Sequence, residues 1–381
     1  MLRQLPIVRF NLKMNRLLDA NVIYDAGTKA IKSSSFKRNT ILYEMNHLLE
    51  TAKAQEEMRT GKFRPDPTID FTISERGKTR KISSNTPRDK AINHALCDEI
   101  LTPSIERLVI YDNSASQKGK GVDFHRKRLV QHLRQYYSIH GSNEGYILLG
   151  DFTGYYANIP HDKCLEDMKV AMERNKGLSE EELQLAGGML ARIVEGFSIT
   201  QGGEKKGVNI GNQCSQDIGV FYPHRVDNCV KIKHSTKGYA RYTDDFYAIS
   251  DSREELKQLL KGIRKEADTH EITINERKTR ICRLSDKWRH LQVQYSLTST
   301  GRIIQKISPK AVTRERRKLR AYKRQLDKGI MPQEDIDECF RSWLGGNYKR
   351  MSRLQFESIL KLYYKLFERR LTWKKKHGRL H

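Results

Sequence analysis

Three aspartates in this sequence occupy positions from which they could bind a metal ion. Asp244 and Asp245 are adjacent in residues 238–250, where two strand-like runs of alternating side chains meet as in a hairpin. Asp151 ends the apolar stretch of residues 145–151 and has no basic residue beside it. Like charges repel at close range unless a cation lies between them. If the fold brings the three carboxylates together, we expect them to bind a cation.

The ligand types indicate which cation this would be. Carboxylate oxygens without a nearby histidine or cysteine are typical of Mg²⁺ sites rather than of zinc or iron sites. In a very basic protein, two such ions favour phosphoryl transfer, in which one ion activates a 3′-hydroxyl and the other neutralises the leaving pyrophosphate. The alternative is that Asp244 and Asp245 are merely solvated turn residues. Because Asp151 is a second acid at a strand end, we favour a nucleotidyl transferase.

The net charge of the protein indicates what class of molecule it binds. The 381 residues include 71 Lys and Arg against 46 Asp and Glu, which gives a formal charge of +25. Such a surplus favours a polyanionic partner, and nucleic acid is the first candidate. Residues 301–381 hold 23 of the basic residues and only eight acidic ones. This C-terminal segment is therefore predicted to contact a phosphate backbone.

Other features of the sequence argue against several protein classes. Apolar runs such as residues 146–149 are far too short to span a membrane, and the first ten residues lack the core of a signal peptide. We expect a cytoplasmic protein without a membrane partner. The six cysteines are widely spaced, so neither a disulfide framework nor a structural zinc site is predicted. The length suits two or three lobes rather than one minimal domain.

Strand and helix patterns alternate around the aspartates, which predicts an α+β fold. Residues 71–83 alternate in polarity and turn at Gly77, as in a hairpin. Helix starts are indicated after Pro160, and after Ser179 and Ser252 by capping-box spacing. Residues 38–60 are predicted to be helical from the spacing of Ile41, Leu42, Met45, Leu48 and Leu49.

Two basic amphipathic helices are predicted in the C-terminal segment. The first has Leu319, Tyr322 and Leu326 among its cations, and the second follows Gly345-Gly346 and extends to Phe367. Each helix alone could be the solvated face of a packed bundle. Together they favour binding along a nucleic acid backbone.

The order of these motifs resembles that of the reverse transcriptases, and specifically of the prokaryotic retroelement type. Residues 242–245, Tyr-Thr-Asp-Asp, resemble the Y-x-D-D box of the family, and residues 151–161 resemble its first catalytic-acid motif. The resemblance covers roughly residues 70–370. It implies two Mg²⁺ ions, for which Mn²⁺ could substitute. The metal ligands that it implies are Asp151, Asp244 and Asp245.

The resemblance also implies roles at the nucleotide. In this family the fifth residue after the first catalytic aspartate is an aromatic that blocks a 2′-hydroxyl, and here it is Tyr156, so the expected substrate is a dNTP. Lys278 lies in residues 274–279, which resemble the motif whose lysine can protonate the leaving pyrophosphate. The other residues expected to contact the nucleotide are Lys78 and Arg80 of the fingers hairpin, Phe152 and Gln216.

Residues 206–216 resemble the loop and helix that pack against the template and the nascent base pair. Their ending, Ser-Gln preceded by Ile-Gly, is closer to diversity-generating retroelements and related bacterial defence enzymes than to retrons or group II introns. The residues expected to contact template or primer are Gly211, Asn212, Ser215, Arg317, Lys318 and Arg320.

The architecture implied by the resemblance is a right-hand polymerase whose palm is an antiparallel sheet backed by helices. The predicted segments are an N-terminal extension (1–37), fingers with the start of the palm (38–146), palm with interspersed fingers elements (147–305) and a basic helical thumb (306–381). We expect no RNase H domain or homing endonuclease beyond the thumb.

The function implied by the resemblance is RNA-directed DNA synthesis. The enzyme would copy a dedicated structured, non-coding template RNA into cDNA from dNTPs, in a retroelement or an antiphage defence system, and a small accessory protein is an implied partner. Two alternatives stay open. One is an untemplated or RNA-synthesising polymerase with the same palm chemistry, and the other is a catalytically silent RNA-binding scaffold.

Overall fold

The computed structural model describes residues 15–32, 34–75, 78–200 and 202–372. This part of the chain contains fourteen α-helices and nine strands, which confirms the predicted α+β class. The helices are α1 (Ala20–Ile31), α2 (Arg38–Met45), α3 (His47–Arg59), α4 (Pro87–Leu96), α5 (Thr102–Glu106), α6 (Val122–His140), α7 (His161–Glu173), α8 (Glu180–Thr200), α9 (Gln213–Phe221), α10 (His224–Asn228), α11 (Arg253–Thr269), α12 (Pro309–Asp327), α13 (Gln333–Asn347) and α14 (Arg353–Phe367).

The strands form three sheets. They are β1 (Ile69–Glu75), β2 (Lys78–Ser84), β3 (Tyr146–Asp151), β4 (Tyr239–Tyr242), β5 (Asp245–Ser250), β6 (Arg280–Arg283), β7 (Trp288–His290), β8 (Val293–Leu297) and β9 (Ile303–Ile307). β1 and β2 form a two-stranded antiparallel hairpin, and β7, β8 and β9 form an antiparallel meander. The third sheet has the order β4-β5-β3-β6, which makes β3 and β5 its two central strands. Both predicted pairs of strands are present, β1 with β2 and β4 with β5. Gly77, at which the first hairpin was predicted to turn, lies outside the described residues.

The contacts divide the chain into two compact units, each assembled from three stretches. The first contains the described residues of Met1–Arg128 together with Gly150–Ala248 and Lys257–Arg280. The second contains Leu129–Leu149, Ile249–Leu256 and the described residues of Ile281–His381. The four predicted segments along the chain stay predictions.

Helix capping in the first unit follows the sequence signals. Glu182 N donates to Ser179 Oγ at 3.2 Å, and Ser179 N donates to a carboxylate oxygen of Glu182 at 2.9 Å, which is the predicted capping box of α8. Helix α7 begins directly after Pro160, as predicted. Helix α1 belongs to the predicted N-terminal extension, yet Ala30 and Ile31 pack against Tyr43 and Ala91 in the interior.

The helical prediction for residues 38–60 is confirmed, and the segment consists of two helices, since α2 ends at Met45 and α3 begins at His47. The five apolar residues on which the prediction rested all lie on the exposed side. The buried side instead carries smaller or polar residues, namely Thr40, Tyr43, His47, Thr51, Ala54 and Met58.

The second unit contains three C-terminal helices, whereas the sequence predicted two. Gly345 and Gly346 lie inside α13 rather than in a linker, because the buried Leu344 and Phe340 hold that helix in the core. The core residues of this bundle are Ile307, Val312, Leu319, Phe340, Leu344, Ile359 and Tyr363. The buried Asp337 accepts hydrogen bonds from the Tyr363 hydroxyl and, at 2.7 Å, from Gln333 Nε2.

Within the described residues, none of the helices is both long enough and apolar enough to cross a membrane. All six cysteines are free thiols, in agreement with the prediction that no disulfide framework is present.

Candidate active site

The turn between β4 and β5 carries two of the three aspartates. Tyr242 pairs with Asp245, so Thr243 and Asp244 form a two-residue hairpin loop. Thr243 has φ +56°, in the left-handed region that a β-branched residue enters only at a cost of about 1 kcal/mol or more. Arg241 Nη1 donates to Thr243 O at 2.8 Å. The turn is therefore held in an unfavourable backbone conformation by a neighbouring side chain.

Arg241 is the residue that organises this turn, and sequence reasoning missed it. Its side chain is fully buried, and Nη2 donates to Asp227 Oδ2 at 2.7 Å and to Val220 O at 2.8 Å. Tyr239 Oη donates to Asp227 Oδ1 at 2.7 Å. A buried charge needs such a partner, since an isolated one is very unfavourable. The sequence did contain a signal, namely an arginine inside an otherwise apolar strand. If such an arginine is buried, an acidic residue from elsewhere in the fold must pair with it.

The third aspartate, Asp151, lies at the end of β3 with only 3% of its surface exposed. Its two carboxylate oxygens accept hydrogen bonds from Lys278 Nζ at 2.6 Å and from Asn275 Nδ2 at 3.0 Å. The preceding Gly150 is required by packing, because a Cβ at that position would overlap the ring of Phe246 on β5. Asp151 is thus fixed in position and charge-paired.

The main chain ties the acid-bearing segments together. Phe152 N donates to Asp244 O at 3.2 Å, and Asn275 N donates to Asp151 O at 2.7 Å. The turn of β4 and β5, the end of β3 and the loop that carries Lys278 are therefore joined directly. The structure brings Asp151 together with Asn275 and Lys278, which lie more than 120 positions away in the chain. The catalytic and metal-binding roles of these side chains stay predictions.

Electrostatic interactions show that these side chains share one environment. Burial and the charge of Asp151 raise the pKa of Asp244, while Lys278 and Arg80 partly offset the rise. Burial lowers the pKa of Lys278, but its hydrogen bond with Asp151 and the charges of Asp151, Asp245 and Asp244 outweigh that effect, so its pKa is raised overall. Lys278 is therefore held in its charged form beside the three acids.

The donor set fits a hard cation. It offers carboxylate oxygens alone, and burial together with the negative charge of Asp151 raises the pKa of Asp244, a charge that a divalent ion would offset. In the described ranges, no three acidic, histidine or cysteine side chains converge closely enough to form a preassembled metal cluster. Lys278 Nζ instead occupies one oxygen of Asp151.

Tyr156 lies beside this site. Its ring packs on Gly219 of α9, where a Cβ would come within 2.7 Å of the ring. Burial, with a contribution from the charge of Asp244, raises the pKa of Tyr156 to about 12, so the hydroxyl stays protonated. Gly219 is thus the second functional position that sequence reasoning missed, because its role depends on a contact with a distant side chain.

The other residues predicted to contact the nucleotide differ in exposure. Arg80 is exposed on β2 and close enough to Asp244 to affect its pKa. Gln216 is exposed on α9. Phe152 is buried against Phe246, with ring centroids 5.4 Å apart, so its ring does not face a nucleotide. Lys78 begins β2, and its side chain lies outside the described residues.

The predicted template residues of the loop before α9 need a correction. Gly211 is exposed, with φ +110°, and allows the neighbouring Ile210 O to accept a hydrogen bond from Ser83 N at 3.3 Å. Asn212 is buried because its side chain caps α9 through Cys214 N at 2.8 Å. Ser215 is buried one turn further along. The side chains of Asn212 and Ser215 therefore support the loop instead of facing a template.

The predicted phosphate-contacting residues lie in the second unit, on α12. Arg317, Lys318 and Arg320 are all exposed, while Val312 and Leu319 bury the opposite side of the helix. Lys318 Nζ lies 5.2 Å from the centre of the Tyr322 ring. This arrangement presents cations to solvent, as a surface that attracts polyanions requires.

Comparisons with known proteins agree with this geometry. A family model described as reverse transcriptase (RNA-dependent DNA polymerase) matches residues 65–318. No curated protein matches the chain. Telomerase from Candida albicans in complex with a TWJ fragment of telomeric RNA is similar in structure, with a TM-score of 0.51 and 11% identity, over 86% of this chain and 60% of that chain. Apo telomerase from Candida tropicalis gives a TM-score of 0.47 and 14% identity, over 80% of this chain and 63% of that one.

The chain thus spans about three fifths of the length of these telomerase chains. At 11% identity, the likeness to the Candida albicans structure shows a shared fold. It supports the right-hand polymerase architecture, with mixed helices and antiparallel strands.

Proposed function

Because the chain belongs to the reverse transcriptase (RNA-dependent DNA polymerase) family, we propose that it synthesises DNA on an RNA template. The observation that carries this proposal is the ion pair of Lys278 with Asp151, which lies within electrostatic reach of Asp244 and Asp245 at one end of the β3–β5 region. A scaffold without activity would have no need to hold the buried Asp151 close enough to Asp244 for the two charges to repel each other.

We infer that Asp151, Asp244 and Asp245 hold two Mg²⁺ ions, for which Mn²⁺ can substitute. When bound, the ions supply activation of a 3′-hydroxyl and neutralisation of the pyrophosphate charge. The protein contributes the position of the carboxylates. Arg241 fixes the turn that carries Asp244, and the packing of Gly150 on Phe246 fixes the strand end at Asp151.

Lys278 is proposed as the residue that gives a proton to the leaving pyrophosphate. Its ammonium lies within the acidic site, and its raised pKa keeps the proton in place until phosphate oxygens compete for it. Lys78 and Arg80 are proposed to bind the triphosphate from the β1–β2 hairpin. The electrostatic influence of Arg80 on Asp244 supports the second assignment.

Tyr156 is proposed to select dNTPs. Its ring rests on Gly219 and its hydroxyl stays protonated, so it forms a fixed wall against a 2′-hydroxyl. Substituting Tyr156→Ala should raise incorporation of ribonucleotides relative to deoxyribonucleotides, measured by competition on one template. Unchanged sugar selection in that variant would remove the assignment.

The template is proposed to be a dedicated structured RNA, bound in part by the exposed cations of α12. The Ile-Gly and Ser-Gln elements of residues 206–216 support a prokaryotic enzyme close to the diversity-generating retroelement and defence-associated types. A small accessory protein that helps to hold the RNA belongs to this proposal, as does action in the cytoplasm.

The proposal is tested by purifying the protein with the RNA that it retains and adding Mg²⁺ with labelled dNTPs or, separately, with NTPs. The matched control is the variant Asp244→Asn/Asp245→Asn, which keeps the side-chain shapes and removes both charges. We expect DNA complementary to the retained RNA, made by the wild type alone. The sequence of that product separates gene diversification from repetitive defence cDNA.

Other results would replace the proposal. Product that matches no retained RNA would indicate untemplated synthesis, and incorporation of NTPs instead of dNTPs would indicate an RNA polymerase. Incorporation that is indifferent to the double substitution would exclude Asp244 and Asp245 as catalytic residues. If RNA is retained but no nucleotide is incorporated with Mg²⁺ or with Mn²⁺ in its place, the protein is better described as an RNA-binding scaffold.

A further inference from the structure

Six large apolar residues of the first unit are exposed, and all of them lie within residues 36–49. They are Phe36, Ile41, Leu42, Met45, Leu48 and Leu49, and we refer to them as the apolar patch. Phe36, Met45 and Leu48 each keep more than three quarters of their surface exposed. Single apolar residues are common on protein surfaces, but a group of this size marks a site of association.

The apolar patch is the outer side of α2 and of the start of α3. Met45 follows Ile41 by four residues and Leu42 by three, so these side chains share one side of α2. The inner side is already packed, because Tyr43 belongs to a buried cluster with residues of α1 and α4. The helices therefore do not need the patch to pack onto the first unit, and none of the described residues covers it.

The size of the apolar patch suits one side of a protein interface. Its residues together expose about as much surface as four fully exposed ones, on the order of 750 Å² at roughly 200 Å² for each large residue. The largest apolar patch of a typical monomer is about 300–600 Å². One partner of a standard protein–protein interface contributes about 800 Å². Burial of the patch against a second surface would therefore form an interface of ordinary size.

Two charged residues flank the patch at equal distances along the chain from Ile41. Arg38 lies three residues before it and Glu44 three residues after it, and both side chains are exposed. Neither forms an ion pair with any of the described residues, whereas Glu50 and Lys53 nearby are paired at 3.0 Å. Residues three apart are neighbours on a helix, so each of the two charges lies beside Ile41.

This arrangement is complementary to itself. A twofold axis beside Ile41 would place α2 of one copy antiparallel to α2 of another, with Arg38 of each copy opposite Glu44 of the other. The same axis brings Phe36 of each copy near Met45 of the other, because these residues lie five before and four after Ile41. A nucleic acid would need cations across the contact, whereas the patch is apolar. A second copy of this chain therefore fits both the apolar surface and its charges.

We propose that two copies of this chain associate through the apolar patch, as a twofold dimer in which α2 pairs antiparallel with α2 of the second copy. The apolar residues supply the free energy of binding, and the two pairs of Arg38 with Glu44 fix the direction of the helices. The proposal goes beyond the proposed function and does not depend on it, because no residue of the candidate active site belongs to the patch.

Sedimentation equilibrium of the full chain measures this association directly. RNA is first removed with nuclease, so that two copies cannot be joined through one RNA molecule. We expect the wild type to dimerise with a micromolar or lower Kd, as interfaces of this size do. Met45→Glu should raise Kd by about 100-fold or more, because it places a charge among apolar residues and a twofold interface contains each substitution twice.

Ile232→Glu is the matched control for the apolar contact. Ile232 also belongs to the first unit and is 71% exposed, close to the 77% of Met45, but it lies outside the patch. Because both residues are exposed, both variants should fold and keep the Tm of the wild-type monomer. Ile232→Glu should dimerise as the wild type does.

Charge reversal tests the twofold arrangement without changing an apolar residue. Arg38→Glu places two acids opposite each other and should weaken dimerisation about tenfold, as should Glu44→Arg with two bases. The double variant Arg38→Glu/Glu44→Arg restores both pairs and should return Kd to within about threefold of the wild type.

Dimers of the wild type and of Ile232→Glu that are lost in Met45→Glu and recovered in the double charge reversal support the proposal. A wild type that stays monomeric at high concentration overturns it, and so does dimerisation that persists in Met45→Glu. Single reversals without effect, a double variant no better than the single ones, or a species larger than a dimer overturn the twofold arrangement and with it the proposal. DNA synthesis by a monomeric wild type would keep the proposed function and lose this proposal.

Discussion

The two charged regions of this protein are built in opposite ways. In the first unit, Asp151 and the supporting Arg241 are buried and charge-paired, and both carboxylate oxygens of Asp151 accept hydrogen bonds. In the second unit, the cations of α12 are exposed and only the opposite side of the helix is packed. The difference follows from the two tasks. Phosphoryl transfer needs atoms held in place, whereas attraction of a polyanion needs only charge at the surface.

The contrast predicts that a buried arginine and an exposed one respond very differently to loss of charge. Arg241→Met leaves the buried charge of Asp227 without its cationic partner, so the free energy of unfolding should fall by about 3–5 kcal/mol, measured by urea titration. Arg320→Met, an exposed substitution, should change it by less than about 0.5 kcal/mol.

A double substitution sharpens this test. Arg241→Met/Asp227→Asn removes both charges and should recover part of the lost stability relative to Arg241→Met alone. If Arg241→Met and Arg320→Met prove equally mild, the pair of Arg241 and Asp227 does not support the active-site turn as described.

The second prediction concerns Lys278, which is partly exposed but lies among the acids. Lys278→Ala should lower kcat by about 100-fold because it removes a proton donor, and it should also lower stability because the buried Asp151 loses its cationic partner. Lys278→Arg keeps the positive charge but gives up a proton poorly, so it should stay slow. Single-turnover kinetics over a range of pH measure this, and full activity of the arginine variant would reduce Lys278 to an electrostatic role.

The third prediction concerns a buried acid of α9. Burial raises the pKa of Asp217 from 3.8 to about 7, so the folded protein binds more protons than the unfolded chain between about pH 4 and pH 7. Stability contributed by this residue is therefore present at low pH and lost as the pH rises through this window. At pH 8, Asp217→Asn should raise the free energy of unfolding by on the order of 2 kcal/mol and Tm by several degrees. At pH 4 the substitution should have little effect on Tm.

The asparagine of this variant would keep an acceptor for Thr102 Oγ1, which donates to Asp217 Oδ2 at 2.8 Å in the wild type, so the substitution isolates the charge. Thermal unfolding of the wild type and the variant at several pH values provides the measurement. An equal change in Tm at pH 4 and pH 8 would mean that packing, and not ionisation, dominates at this position.

The smallest effect is expected from the exposed cations. Replacing Arg317, Lys318 and Arg320 together by Ala should leave Tm unchanged and weaken RNA binding about tenfold at low salt. The slope of log K against log salt should fall by about 2, since each phosphate contact on a single strand contributes about 0.7. A loss that is independent of salt would indicate that these side chains do more than attract phosphates.

Much of the local structure could be predicted from the sequence. The hairpins, the strand that ends at Asp151 and the capping box of Ser179 and Glu182 depend on residues close together in the chain. Predictions of which side chains face outwards were weaker. Asn212 and Ser215 were expected to contact the template but are buried, because helix capping and packing against distant segments set their surroundings.

The sequence by itself determined the order of the acid-bearing motifs, the excess of cations in the C-terminal segment and the chemistry that these residue types allow. Only the tertiary structure decided which residues support that chemistry. Arg241 meets Asp227 and Tyr156 rests on Gly219 because the fold brings distant segments together. The sequence gives the type of each residue and its neighbours along the chain. The burial of a side chain and its contacts with distant residues depend on how the whole fold packs.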